Sequence, residues 1–327
     1  MPGSREFDDS QMLPVAHRIR RFLASPFARH PYLLQRSRWP NPLQAPWKAK
    51  EINLYRPGEF GDVLMCLAIV REIRQRNSTA RITLVTKFTE FFQGHPLLDR
   101  VCDEDTARRE RLRNVVSLRY EVFIPLRLHV IDYLGGCVGL RNVPRIIELP
   151  DFSDELAPLT TRLPTTRPGR PRVAICRHAG PFTPNKNWPA EYWDALIHGL
   201  SAEADIIELG TQNPDAPMTP HHFDLRGQTN LRQFCAIIAR SDLVITPVTS
   251  SVHVAAAYGV PVLSVIGGYE NPENTAYLNH TPLHRAPACS PCWLPTPCPF
   301  DRKCLRDITV AEVLTTAREI LKARNLS

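Results

Sequence analysis

INLYRPGEFGDVLMCLAIVREIRQR, residues 52–76, carries the pattern that decides the fold. INLY (52–55) is a short apolar run of strand length, and RPGEFGD (56–62) turns on Gly58 and Gly61. VLMCLAIVREIRQR (63–76) repeats Val63, Leu67, Val70 and Ile73 on one helical face, and ARITLVT (80–86) is again an apolar strand. A strand–loop–helix–strand unit makes the two strands parallel neighbours, because a short right-handed crossover closes in no other way.

Working outward, the alternation pauses and restarts. Apolar runs recur at 115–118, 121–126 and 145–149. Residues 157–171 (APLTTRLPTTRPGRP) then read as an interdomain linker. Beyond it, strands are expected at 172–177, 204–210, 242–247 and 260–267, with helices at 189–201, 230–241, 250–259 and 309–324. Asn230 with Gln233, and Thr309 with Glu312, are capping-box pairs. The expected organisation is a basic extension (1–50), a first Rossmann-like domain (51–160) and a second Rossmann-like domain (171–327) with a cysteine loop at 289–304.

Composition narrows the function class. The chain has 327 residues, 43% of them hydrophobic, enough for two cored domains. Nine Lys/Arg against three Asp/Glu in the first 50 residues account for nearly all of the +7 net charge. The domains are therefore close to neutral, which argues against a nucleic-acid partner. Val15, Ile19, Phe22 and Leu23, with Arg18, Arg20 and Arg21 between them, give residues 13–25 two readings: a basic amphipathic helix for peripheral contact with anionic lipid, or a solvated arm. No continuous apolar run marks a secretory signal or a membrane span, so a cytoplasmic protein, peripheral at the inner membrane face if the arm binds lipid, is the expectation.

Four stretches carry chemistry. Asp62 follows the Gly58/Gly61 loop at the C-terminal edge of the sheet, placed either to take a proton from an attacking hydroxyl or to cap the helix. Lys186, in the loop 178–188 between a strand and a helix, suits a phosphate oxygen or is a solvated lysine. Thr249, Ser250 and Ser251, with the backbone amides of the helix they open, suit a diphosphate or are ordinary helix caps; His253 lies one turn in, as a ligand contact or a buried structural histidine. Gly267 and Gly268 form one more close-approach loop at that edge. Cys289, Cys292, Cys298 and Cys304 leave open a structural zinc or iron, a redox pair or two disulfides. Asp103-Glu104-Asp105 precedes a run of charges and reads as a loop or helix cap.

The assembled pattern resembles the heptosyltransferase-type enzymes of glycosyltransferase family 9. The likeness rests on YRPGEFGDVLMCLAIVREIR (55–74), GHPLLDRV (94–101), NKNWPAEYWDALI (185–197), DLRGQTNLRQFCAIIARSDLVI (224–245), VHVAAAYGVPVLSVIGG (252–268) and KCLRDIT (303–309). The resemblance implies an α/β chain of the GT-B type, two Rossmann-like parallel-sheet domains facing across a cleft. It implies an inverting transfer of a sugar, heptose in the relatives, from a nucleotide-sugar donor such as ADP-heptose to a hydroxyl of a surface glycan or lipopolysaccharide core. In it Asp62 is the general base, Lys186 binds donor phosphate, and no cofactor is required. Some relatives bind iron through cysteines in this region. The family's Asp-Ser/Thr-Gly-x-x-His falls on Val248-Thr-Ser-Ser-Val-His253, with Val248 and Ser250 as departures. A nucleotide-sugar epimerase on the same fold and a non-catalytic metal-binding scaffold are the rival readings.

Overall fold

The computed structural model describes residues 45–124, 126–165, 169–180, 182–211 and 222–324. The expected helix at 13–25 lies outside the described residues. The first half runs β1 (Glu51–Tyr55), α1 (Phe60–Arg76), β2 (Arg81–Val85), α2 (Thr89–Phe92), β3 (Arg100–Cys102), α3 (Glu104–Arg109), β4 (Val115–Ser117) and α4 (Val130–Cys137). The second runs β5 (Arg172–Ile175), α5 (Ala190–Ser201), β6 (Asp205–Glu208), β7 (His222–Asp224), α6 (Leu231–Ala239), β8 (Leu243–Thr246), α7 (Ser250–Ala257), β9 (Val262–Ile266), β10 (His280–His284), α8 (Lys303–Arg306) and α9 (Val310–Arg324).

Each half builds one sheet. The first has the order β3-β2-β1-β4 and the second β10-β9-β8-β5-β6-β7, and every pairing is parallel. The Val/Ile/Leu-rich central strands are buried on both faces, as helices on either side of a parallel sheet demand. Both sheets reverse direction of winding once, β1 against β4 in the first and β5 against β8 in the second. Loops leaving the C-terminal ends of such a strand pair diverge and leave a crevice. Residues 56–59 and 118–121 flank the first crevice; residues 176–180, 182–188 and 247–249 flank the second.

α1 departs from the expected one-sided helix. It starts at Phe60 rather than Val63, so Gly61 and Asp62 stand in its first turn, and Phe60 through Val70 are buried except for Asp62. Phe60 is anchored edge-on against Phe91, ring centroids 4.7 Å apart. The helix is enclosed because α4 packs on one side of it and α7, from the other half, on another. The remaining helices match their apolar patterns closely, and the Asn230–Gln233 box forms in both directions. At 309–312 only half the box forms: the Glu312 amide donates to Thr309, while the Glu312 carboxylate turns to Arg285. The apolar run at 121–126 contains a 3₁₀ turn at Glu121–Phe123, and the stretch between the sheets begins as a packed 3₁₀ turn with Leu156 and Leu159 buried. No described helix is long and apolar enough to cross a membrane.

The two halves meet where α1 and α7 begin. A Cβ on Gly61 would lie 2.9 Å from His253 Cδ2 and 3.2 Å from the Ser250 Cα, so only glycine permits this approach. Farther out, the Tyr258 hydroxyl donates to the Pro150 carbonyl at 2.7 Å, and the Asn274 amide to the Leu128 carbonyl at 2.9 Å. Gly61→Ala is expected to cost about 1–3 kcal/mol through overpacking. Gly136→Ala, at an exposed helical site where a Cβ meets nothing within 4 Å, should be neutral or stabilising by a few tenths. Urea denaturation of the two variants checks the contrast.

Candidate functional site

Asp62 is the centre of the first crevice. It is the third residue of α1 and closes a capping box: its Oδ2 accepts the Glu59 amide at 3.0 Å. Its Oδ1 accepts the Tyr120 hydroxyl at 2.8 Å and lies 3.1 Å from Arg56 Nη2. Capping and the reactive-site reading are therefore compatible, because the carboxylate has lone pairs for both. Arg56, wholly buried, also reaches Glu121 at 2.7 Å and donates to the Leu118 carbonyl at 2.9 Å. The guanidinium thus ties the loop after β1 to the loop after β4, across the point where the sheet reverses. Gly58, at φ +120°, lets the loop pass this close: a Cβ there would lie 2.7 Å from Asp62 Oδ2.

Burial by itself would raise the Asp62 pKa. The Arg56 charge and then the Tyr120 hydrogen bond outweigh it and hold the carboxyl below its ordinary value. Tyr120 is pushed the other way, first by burial and then by the Asp62 charge, so its hydroxyl stays protonated and donates. None of Arg56, Tyr120 and Glu121 was singled out by sequence reasoning. The one available signal was an arginine immediately after an apolar strand, where charge needs a partner.

Across the α1–α7 contact stands the second crevice. Thr249 caps α7, and Ser250 lies against Gly61. Ser251 corrects the expectation of a hydroxyl offered to a ligand: it is fully buried, and its Oγ is engaged by Thr246 at 2.7 Å and Thr249 at 2.6 Å. His253 is buried, with Nδ1 2.7 Å from the Tyr277 hydroxyl. Its pKa is lowered to about 4, first by burial; Asp62 opposes that shift and Lys186 adds to it. The imidazole is therefore neutral at neutral pH and sits within the field of both charges. Lys186 Nζ lies 2.5 Å from Glu270, donates to the Val248 carbonyl at 3.3 Å, and rides over the Tyr269 ring. Asp62, Lys186, His253 and the 249–251 turn are thus gathered at one place.

Below this, Arg177 at the end of β5 is buried between Glu208 at 2.6 Å and Asp194 at 2.5 Å. This cluster of three ions fixes where the Lys186 loop leaves the sheet. Asp103 is a helix cap, accepting the Thr106 amide at 2.7 Å, as its charged surroundings suggested.

The cysteine loop lies against Gly267 and Gly268. A Cβ on Gly267 would lie 2.7 Å from Leu305 Cγ and 3.0 Å from Cys304 Sγ, and one on Gly268 would lie 3.1 Å from Ser290 Cβ. The close approach these glycines allow is to the chain's own cysteine segment. The Cys292 thiol is pushed up to about 11, by burial first and then by Cys289, Cys298 and Cys304. Four thiols are a donor set suited to zinc or iron. Among the described residues, however, no group of three or more His, Cys, Asp or Glu is gathered tightly enough to hold a metal ion. The residues as placed do not form a metal site.

The family likeness read from the sequence is borne out by comparison with known proteins. Residues 141–292 match the model of glycosyltransferase family 9 (heptosyltransferase). A lipooligosaccharide heptosyltransferase 2 of Campylobacter jejuni is 25% identical over 159 residues, 44% of this chain and 50% of that protein. The match spans about half the length of that curated relative. Among solved structures, the Escherichia coli ADP-heptose lipopolysaccharide heptosyltransferase II superposes with a TM-score of 0.63 at 15% identity, covering 84% of this chain and 99% of that one. The iron-containing dodecameric glycosyltransferase TibC of enterotoxigenic E. coli superposes with a TM-score of 0.62 at 16% identity, covering 85% and 78%. These superpositions show the fold: two parallel-sheet α/β domains of the GT-B type, as the sequence led one to expect.

Arg56→Met should be among the most damaging changes outside the apolar core. It leaves the Asp62 and Glu121 carboxylates side by side without their shared cation, and the cost is expected at about 3–5 kcal/mol at neutral pH. Denaturant unfolding measures it; a loss within about 0.5 kcal/mol, the range of ordinary surface changes, would show the network to be incidental.

Proposed function

We propose that this chain, which carries a glycosyltransferase family 9 region at 141–292 on that family's fold, is an inverting glycosyltransferase using a nucleotide-diphosphate sugar. The observation that carries the reading is the meeting of two helix N-termini: Asp62, an ionised carboxylate, lies in the first turn of one, and the Lys186 ammonium reaches the Val248 carbonyl just before the other. The acceptor hydroxyl would approach from the first half and the donor would lie against the second. Asp62 would take the hydroxyl proton as the oxygen attacks the anomeric carbon from the face opposite the leaving nucleoside diphosphate. Negative charge growing on that leaving group would be met by Lys186 and the positive end of the α7 dipole, which are already oriented before reaction. His253, neutral and fixed by Tyr277, would serve as a hydrogen-bonding group rather than a second cation. Closure of the halves would keep water from the donor. The reaction so written needs no cofactor.

The curated relatives are heptosyltransferases of lipooligosaccharide and lipopolysaccharide core, which makes ADP-heptose the first donor to test and a glycolipid core hydroxyl the first acceptor. Val248 in place of the family's aspartate makes hexose donors the second set to test. A cytoplasmic site of action, beside the membrane where such acceptors are assembled, follows from that choice.

Asp62→Asn should lower transfer by about 10²–10⁴-fold with donor binding retained. Full activity in that variant would overturn the assignment. The depressed Asp62 pKa also sets a pH signature. The working form is the carboxylate, so activity is held above the folded-state pKa and lost as pH falls through it. In the wild type that limb should lie below the ordinary carboxylate range. Tyr120→Phe removes one hydrogen bond that favours the ionised form and should move the acid limb of kcat/KM upward; a limb that stays put would assign it to another group.

A further inference from the structure

Lys186 does not wait for its phosphate alone. Glu270, three residues beyond Gly267, brings a carboxylate to 2.5 Å from its ammonium, and Glu270 is 5% exposed. Among the described residues this ion pair is the one partner of that carboxylate. The pair is held from both sides by one segment, residues 292–298. On the Glu270 side, the Cys292 amide donates to the Gly268 carbonyl at 2.9 Å, the Trp293 amide to the Tyr269 carbonyl at 3.0 Å, and the Tyr269 and Trp293 rings pack at 5.2 Å. On the Lys186 side, the neighbouring Asn185 amide donates to the Leu294 and Thr296 carbonyls at 2.9 and 2.7 Å, and its oxygen accepts the Cys298 amide at 3.0 Å. Thr183 adds a bond to the same Leu294 carbonyl at 2.9 Å. Neither partner can drift far, so the carboxylate is a built feature of the crevice.

A diphosphate that engages Lys186 draws the ammonium off Glu270, at least in part. The carboxylate is then buried and short of donors, which is a costly state. The groups that a sugar nucleotide brings next to a phosphate-holding lysine are the hydroxyls of the sugar on that phosphate. The residue whose carbonyl also holds the ammonium, Val248, supplies no side-chain acceptor. We propose that Glu270 is the residue that recognises the donor sugar: it keeps Lys186 poised in the empty crevice and accepts the sugar hydroxyls once the diphosphate has taken the ammonium. This rests on the glycosyltransferase reading and extends it. It has a consequence for turnover. After transfer, the nucleoside diphosphate has no sugar left to satisfy Glu270, the carboxylate competes again for Lys186, and the product is held less tightly than the donor.

The test is isothermal titration of wild type, Glu270→Gln and Glu270→Asp with three matched pairs: ADP and ADP-heptose, UDP and UDP-glucose, GDP and GDP-mannose. For the pair the protein uses, wild type should bind the sugar nucleotide about tenfold or more tighter than the bare diphosphate. In Glu270→Gln that ratio should fall toward one, with the bare diphosphate bound as well as before or better, because Lys186 is freed. Glu270→Asp, which keeps the charge, should recover part of the ratio and serves if the Gln variant does not fold. An equal loss for both members of the pair, an unchanged ratio, or no preference in wild type would overturn the role of Glu270 while leaving the glycosyltransferase reading intact. A wild-type protein that binds none of the six would overturn both.

Discussion

The structure depends on one close approach: the first turn of α1 against the first turn of α7, with Gly61 in contact with Ser250 and His253. Two helix N-termini brought together direct the positive ends of their dipoles into the same small volume. Lys186 and the buried Arg56 add two full positive charges nearby. Such a concentration is stable only with counter-charge inside it. Asp62 and Glu121 supply it on one side and Glu270 on the other. The site is thus a balanced set of charges around an anion-shaped place, and the chemistry proposed for it uses the imbalance a ligand creates.

That approach is made possible by the topology beneath it. Each parallel sheet reverses its winding once, and each reversal opens a crevice at the C-terminal strand ends. Arg56 bridges the first crevice from β1 to the β4 loop, and the Arg177–Glu208–Asp194 cluster anchors the second below Lys186. Buried ion networks of this kind contribute little net stability compared with apolar packing; what they add is a single orientation for each charged group. The cysteine segment has the corresponding task on the outer side, since its backbone between 292 and 298 bonds to both loops that carry the Lys186–Glu270 pair. Its structural work is accounted for by these hydrogen bonds, whatever its thiols bind.

Much of the architecture could be read from residue order because parallel strands and their crossover helices have strong local patterns. The Val/Ile/Leu runs at β1, β2, β5, β6, β8 and β9 and the caps at Asn230 and Thr249 needed no tertiary information. β3, β7 and β10 escaped because they are short or polar edge strands; HTPLH even contains a proline, which an edge tolerates. α1 was misjudged as one-sided because its second covering layer comes from the other half of the chain, more than 170 residues away.

The site divides along the same line. Asp62, Lys186, His253 and the two glycines of the first loop were visible in the sequence, since each lies in the loop between a strand and its helix or in the first turn of that helix, a position that the local pattern marks. Sequence alone determined that two Rossmann-like units exist and which loops lie at their reactive edges. Only the tertiary structure decided that Arg56 and Tyr120 control the charge of Asp62, that Ser251 turns inward, and that Glu270 meets Lys186. The reason is physical: loop identity is set by neighbours a few residues apart, whereas the partners of a buried charge are set by whichever distant chain fills the remaining space around it.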